Sequence, residues 1–441
     1  MKRKMATAAV ILACASFGAH AVGYDLDSYV KLVESRNRDL ELARQDIAAA
    51  EQERREALAA LLPGVGIHGG YTRNLKDITQ PEAIYAVGPV NGIYPFVYQD
   101  VVTSYDNTFS IAGGVSLPVF APQSVTAFRQ AEEGLHLRQS AYEYQRRVIV
   151  NAASKLYYQT LLLEEVVKVK EASERSAHEN YQNIEAKFEA GVATELDKLM
   201  AEVDWKSKTP ELAEAQRSFS LALMNLKSLA GIGADEDVGL TEGLDKYPDL
   251  PAELGLDDAL ASRLDYKLLL QQRQLGDLAV KKAMAAYLPT VDASFTAAYQ
   301  DMSGNSAGAE DYKPFALQLG LTVNLPVYEG GYRAAKLAAE KIGGEKIEIA
   351  LAKKREDVKT ELASLRLRLT EARERIDSSS ALVDAAQKAF SQADLSLKSG
   401  MVTQIQLTQA SLNLEGSRLQ YYSAVYEYLA ACFDWELAAG G

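Results

Sequence analysis

Cysteine, histidine and proline are scarce in this chain, and long apolar runs are missing after its first residues. Cys14 and Cys432 are the only cysteines among 441 residues. With Cys14 in the leader described below, no disulfide can staple the rest of the chain. The four histidines (His20, His68, His136, His178) are scattered and show no zinc-ligand spacing. No phosphate loop or nucleophile elbow is present. Gly231-Ile232-Gly233 is a lone Gly-x-Gly, and Asp235-Glu236-Asp237 lacks the rest of a calcium loop. The formal charge is −13 and no basic run occurs, which argues against a nucleic-acid partner. After the leader no apolar stretch reaches the roughly 20 residues of a membrane helix. No catalytic residue, cofactor site or metal site is read from the sequence. The carboxylates along the helices read as solvated faces. With 48% apolar residues the chain can nevertheless build a large core.

The leader reads MKRKMATAAVILACASFGAHA. A basic start, an apolar run from Met5 to Phe17 and Ala19-His20-Ala21 predict a signal peptide over 1–21, cleaved after Ala21. Two alternatives stay open: an uncleaved anchor, since Met5 to Tyr24 carries no charge, and lipidation at Cys14. Leu12 sits where a lipoprotein cleavage box wants a small residue.

The rest is written twice. Ala60-Leu61-Leu62-Pro63 matches Ala286-Tyr287-Leu288-Pro289. Leu117-Pro118-Val119-Phe120 matches Leu325-Pro326-Val327-Tyr328, and the run up to Gly191 and Thr194 matches that up to Gly400 and Thr403. Pro118 to Gly191 spans 73 residues and Pro326 to Gly400 spans 74. Two repeats are expected, 22–250 and 251–441, joined by the Gly-, Asp- and Pro-rich segment 231–251. Each reads as a helix ending at Leu-Pro, a β-hairpin (about 64–117 and about 290–325), then long helices (122–230 and 332–438). The first hairpin is the longer, through a Tyr-, Pro- and Gly-rich insertion in 77–104.

The helical runs Pro122–Glu189 and Tyr332–Ser399 hold 68 residues each, or about 100 Å at 1.5 Å per residue. Their 3-4 apolar spacing, through Val166, Val169, Ser173, Ala177, Asn180, Ile184 and Phe188 in the first and Leu382, Ala386, Ala389 or Phe390, Ala393 and Leu397 in the second, reads as a coiled-coil seam. Pro210 and Gly343-Gly344 predict bends.

Four strands alternate with period two. Their apolar sides carry Val65, Ile67 and Tyr71; Phe109, Ile111 and Val115; Val291, Phe295 and Tyr299; and Phe315, Leu317, Leu319, Leu321 and Val323. The opposite sides hold small or polar residues almost bare of Lys and Glu. Strands of about 10–12 residues, tilted, span a bilayer's apolar layer, so these side chains are expected to face lipid. The alternative is a soluble sheet covered by helices. Four strands cannot close, and open edges are not tolerated in lipid, so several chains must share one barrel. Gly, Ala, Ser and Thr are too small to fill an eight-stranded lumen, which favours three chains over two.

On the duplicated plan, the Leu-Pro-Val-Phe and Leu-Pro-Val-Tyr strand exits and the Gly-x-x-Thr turns, the chain resembles the TolC family of outer membrane efflux proteins over essentially its whole length after the leader. The resemblance implies a mainly α membrane protein: a homotrimer with a shared twelve-stranded β-barrel, four strands per chain, continuing into a coiled-coil periplasmic tunnel. It implies a passive exit duct in the outer membrane, without enzyme activity or cofactor, that serves an inner-membrane pump and a periplasmic adaptor. At the periplasmic tip it places adaptor docking on Ala190, Gly191, Val192, Ser399, Gly400 and Met401. It places pore lining on Asp197, Gln406 and Gln409, where some members carry second-repeat aspartates at the last two positions. Thr194 to Asp197 and Thr403 to Gln406 also read as capping boxes. The positions of the family's polar latch hold Val402 and Leu397, so closure by packing is expected. Two other functions stay open: type I protein secretion through the same barrel, and a secreted soluble coiled-coil scaffold.

Overall fold

The protein is described by a computed structural model. The structure describes residues 22–440 apart from 86–87, 89–91, 93–95, 305–309 and 400. The expected signal peptide 1–21, with Cys14, and the turn residue Gly400 lie outside the described residues.

In chain order the elements are β1 (Val22–Tyr24), α1 (Leu26–Arg36), α2 (Arg38–Ala59), β2 (Gly64–Arg73), β3 (Thr79–Tyr85), β4 (Phe96–Val102), β5 (Asn107–Phe120), α3 (Pro122–Glu189) and α4 (Glu195–Leu229). Then come β6 (Val238–Leu240), α5 (Leu256–Ser262), α6 (Leu264–Ala285), β7 (Thr290–Ser303), β8 (Phe315–Asn324), α7 (Tyr332–Lys398) and α8 (Gln404–Ala439). α3 runs for 68 residues and α7 for 67. Pro122 sits at the first position of α3, where its missing N–H costs nothing. α4 continues through Pro210, and α7 continues through Gly343 and Gly344.

The helix that leads into each hairpin is split by one residue, which periodicity alone does not reveal. Asn37 ends α1, and its Oδ1 accepts from the N–H groups of Asp39 and Leu40 at 3.0 and 3.1 Å, so the same side chain starts α2. Its Nδ2 donates to the Leu229 carbonyl at 3.0 Å. Arg263 makes the corresponding break between α5 and α6. Its guanidinium grips Asp265, Glu361 and the Ala438 carbonyl. Burial pushes the Asp265 carboxyl up, but hydrogen bonds from Arg263 and Lys354 outweigh it and hold the group at about 2.

The chain forms two compact units. The first comprises 22–45, 140–268 and 351–440 among the described residues. Its core is built from Tyr29, Tyr157, Leu226, Leu369, Ile376, Val425 and Tyr428. The buried tyrosines keep their hydroxyls paired: Tyr29 donates to the Leu226 carbonyl at 3.0 Å, Tyr157 to that of Tyr24 at 2.8 Å and Tyr428 to that of Pro248 at 3.0 Å. Burial raises the Tyr157 and Tyr428 hydroxyls to about 12. The segment 231–251, expected only to join the repeats, contributes to this unit. β6 pairs parallel with β1, and Ile232 and Leu244 enter the core.

The second unit, 46–139 and 269–350, holds the sheet. Its four strands are antiparallel in the order β2-β5-β7-β8, so the two hairpins join through β5 and β7. A register shift between Pro118 and Phe120 marks where β5 leaves the sheet. The insertion of the first hairpin folds as a ribbon of its own, β3 against β4. Its base is pinned by Ser104, whose Oγ accepts from the Ile78 N–H at 2.9 Å.

Candidate functional site

Two regions carry the expected functional residues, the sheet in the second unit and the helical turns in the first. In the sheet, register decides which side chains share a face. Val65 lies opposite Val115, Val115 opposite Phe295 and Phe295 opposite Leu319. The next rows run Gly69, Ile111, Tyr299, Phe315 and Ile67, Gly113, Ala297, Leu317. Tyr71 faces Phe109, Ala293 faces Leu321 and Val291 faces Val323. All the apolar residues singled out on the four strands therefore lie on one side of one sheet. That side is open in the single chain: Leu319 is 86% exposed, Ile67 78% and Val65 77%. Val291 and Tyr299 are half-buried. The other side is lined with small and polar residues, as in the row Gly66, Gly114, Thr296, Gln318. β2 pairs only with β5 and β8 only with β7, so each outer strand keeps one unpaired edge among the described residues.

The turns of the first unit are closed by backbone geometry. Gly191 has φ +71°, and the Val192 N–H donates to the Lys187 carbonyl at 2.8 Å, a Schellman ending of α3. The Met401 N–H makes the equivalent bond to the Ser396 carbonyl at 2.9 Å at the end of α7. Ala190, Gly191, Val192, Ser399 and Met401 are exposed. Asp197 is a capping residue: its Oδ2 accepts from the Thr194 N–H at 3.2 Å and from the Thr194 hydroxyl at 2.6 Å, while its own N–H donates to Thr194 Oγ1 at 3.1 Å. Gln406 repeats the role, with Oε1 accepting from the Thr403 N–H at 2.8 Å. Gln409 lies outside the box, exposed, and donates to Asn413 Oδ1 at 3.0 Å. Asp197 and Gln406 thus hold matching places in the two turns.

One cluster in this unit is not apparent from the sequence motifs. Glu415 of α8 is buried among α3 and α4. Its Oε2 accepts from Lys208 Nζ and Ser173 Oγ, both at 2.7 Å, and its Oε1 from Lys170, which also pairs with Glu211. Burial pushes the Glu415 carboxyl up, yet the bonds from Lys170, Lys208 and Ser173 win and hold it at about 2. The sequence does carry a signal for it. Leu407, Leu414, Tyr421, Tyr428 and Trp435 repeat every seven residues, all buried but the half-buried Tyr421, and Glu415 adjoins that seam. Cys432 is half-buried in the same helix, and burial raises its thiol.

Among the described residues no group of His, Cys, Asp and Glu could hold a metal ion, and no helix is long and apolar enough to cross a membrane. A sheet of two hairpins, apolar on one side and continued by very long helices, is the fold of outer-membrane channels. Solved structures agree. The Campylobacter jejuni CmeC outer membrane channel superposes with a TM-score of 0.78 at 18% identity, over 94% of this chain and 85% of that one. The open-state Neisseria gonorrhoeae MtrE outer membrane channel gives 0.75 at 17% identity, over 94% and 89%. In sequence, the alkaline protease secretion protein AprF of Pseudomonas aeruginosa is 22% identical over 426 residues, 96% of this chain and 85% of AprF. The outer membrane protein TolC of Escherichia coli is 19% identical over 454 residues, 99% of this chain and 86% of TolC. The family model "Outer membrane efflux protein" matches residues 29–232 and 255–441. The chain belongs to the outer membrane efflux protein family. It is an outer-membrane duct for efflux or secretion, reaching into the periplasm.

Proposed function

We propose that three copies of this chain pair β2 of one with β8 of the next and close a twelve-stranded barrel. The observation that carries this reading is the register, which puts the apolar residues singled out on the four strands on one side of a sheet whose two edges are unpaired among the described residues. Unpaired backbone groups cost several kcal/mol each in hydrocarbon, so the edges must be joined, and four strands are too few to join to each other. The barrel exterior is then Val65, Ile67, Tyr71, Phe109, Ile111, Val115, Val291, Phe295, Tyr299, Phe315, Leu317, Leu319, Leu321 and Val323, in contact with lipid. The small-residue side lines the lumen. A lumen of such residues offers few converging contacts, so the duct passes cargo and an inner-membrane pump chooses it.

The repeats meet the periplasm at their turns. There Ala190, Gly191, Val192, Ser399, Gly400 and Met401 receive a periplasmic adaptor, and Asp197, Gln406 and Gln409 line the pore. The capping bonds of Asp197 and Gln406 are compatible with this role, because capping fixes the turn that an adaptor must read. Small-molecule efflux is the main reading. Protein export is the second, supported by the relative named for alkaline protease secretion.

The test is detergent extraction from outer membranes followed by photolabelling from the lipid phase. A heat-labile trimer labelled at Leu317 and Leu319 is expected. A water-soluble monomer, or a trimer with those side chains unlabelled, overturns the reading.

A further inference from the structure

β5 leaves the sheet at Phe120, and α3 begins two residues later at Pro122. α6 ends at Ala285 and feeds β7 at Thr290. Because β5 and β7 are neighbours, the start of α3 and the end of α6 lie side by side where the sheet ends. Between them runs a groove of about 560 Å³. Phe120 and Val125 line one wall, Met284 of α6 and Leu288 just past it the other. All four are exposed, Phe120 and Leu288 each to 47%. The register sets Phe120 opposite Val291 and Val291 opposite Val323, so Phe120 carries the apolar side of the sheet on into the groove.

The end of the groove away from the sheet is basic. Lys281 lines it one turn before Ala285 on α6, and Arg129 stands one turn beyond Val125 on the same face of α3. Each is about 6 Å further from the sheet at 1.5 Å per residue. Both side chains are exposed, and neither has a hydrogen-bond or ion-pair partner among the described residues. Glu132, the acidic residue next along α3, pairs with Arg54 instead. Apolar beside the sheet and cationic away from it, the groove has the polarity of a lipid standing in one leaflet of a membrane. A second copy would meet this chain along its outer strands, β2 and β8. The groove belongs to the inner strands β5 and β7, away from that boundary.

We propose that the groove between α3 and α6 seats an anionic phospholipid of the periplasmic leaflet. An acyl chain lies against Phe120, Val125, Met284 and Leu288, and the phosphate is held by Lys281 and Arg129. The acyl chain then points into the membrane with the sheet, and the headgroup points to the periplasm with the helices, as that leaflet requires. Arg129 offers the phosphate paired N–H groups, and Lys281 offers a point charge. A lipid held there fixes the depth at which sheet gives way to helix. The inference rests on the lipid-facing sheet proposed above.

The test places the purified assembly in phosphatidylcholine nanodiscs doped with phosphatidylglycerol that carries a photoreactive acyl chain. Label in peptides covering 119–126 and 281–288 is expected, displaced by unlabelled phosphatidylglycerol and not by added phosphatidylcholine. Lys281→Gln with Arg129→Gln should lower that label about ten- to thirtyfold, as loss of two cations near a membrane surface predicts. Val125→Trp, which fills the groove, should abolish it. Label at Leu317 and Leu319 should stay unchanged in both variants and reports that the assembly is intact. Groove label that phosphatidylcholine displaces equally, or that survives both variants, overturns the site in favour of ordinary boundary lipid. A bare groove beside a labelled sheet overturns the site alone. A photo-crosslinker on Met284→Cys in whole outer membranes that captures protein, a second copy included, rather than lipid also overturns it. An unlabelled sheet sinks the barrel reading and this site with it.

Discussion

Lys208 and Glu415 face each other at 2.7 Å, Nζ to Oε2, with almost no solvent at either side chain. Together with Lys170 and Ser173 they tie α3, α4 and α8 to one register. Leaving a buried charge without its partner costs about 3–5 kcal/mol, so Glu415→Ala should strip most of the stability of this helix packing. Thermal loss of helix in the purified protein checks it. Glu415→Ala should melt well below Glu415→Gln, which removes the same counter-ion from the lysines but keeps the volume and an oxygen that can accept from Lys208.

The same carboxylate predicts an acid limit. Its folded value of about 2 lies below the ordinary glutamate value of 4.5, so the folded state prefers the charged form. The stability this preference gives is full above about 4.5, is lost as pH falls from there through about 2, and is worth about 3 kcal/mol. Acid titration of helix content should therefore show a transition in that window. Glu415→Gln should weaken its pH dependence. An acid curve unchanged by Glu415→Gln would place the transition elsewhere, and Asp265 with its own value of about 2 is the next group to remove.

Leu319 sits on the apolar side of β8, and its neighbour Gln318 sits on the other. A positive charge at the middle of a lipid-facing strand costs about 2–4 kcal/mol, whereas a lumen-facing substitution leaves stability alone. Leu319→Arg should lower the yield and the melting temperature of the detergent trimer. Gln318→Lys should leave both and shift ion selectivity instead. Equal damage from the two would mean that the sheet does not separate lipid from water.

The sheet is legible in the amino-acid sequence because register follows from alternation. Once Phe315, Leu317 and Leu319 occupy one side, a slip of one residue would turn every apolar side chain over, so the alternation leaves one pairing. The Gly-x-x-Thr turns are legible for a similar reason, as Thr194 and Asp197 stand at capping-box spacing. What is not legible depends on contacts between distant segments. Asn37 ends one helix and starts the next partly because its Nδ2 reaches Leu229, nearly two hundred residues away. Glu415 reads as a solvated carboxylate until Lys170 and Lys208 are brought to it. The pairing of β6 with β1 joins two three-residue segments, too short for any period to mark.

The turn between α3 and α4 rests on Gly191 at φ +71°, a conformation in which a Cβ is strained whatever space surrounds it. Gly191→Ala should destabilise the turn by about 1 kcal/mol, and Asp197→Ala should cost about the same through loss of the cap. Amide hydrogen exchange at Val192 to Lys198 reads both. Protection should fall there and stay unchanged in the core around Tyr157. If docking of an adaptor needs this turn preformed, both variants should also weaken efflux without lowering the amount of trimer.

If Gln406 and Gln409 line the tip as proposed, they set how it treats ions. Both are neutral and both are exposed in the single chain. A ring of carboxylates draws cations far more strongly than a ring of amides does, so the present tip should be weakly selective. Gln406→Asp with Gln409→Asp should shift the reversal potential of single channels toward the cation potential, most strongly at low salt, where screening is least. Aspartate can replace Gln406 in the cap, because Asp197 already performs that role in the other turn. The double variant should therefore assemble normally, and an unchanged reversal potential from a well-assembled trimer would remove these two residues from the narrowest point of the pore.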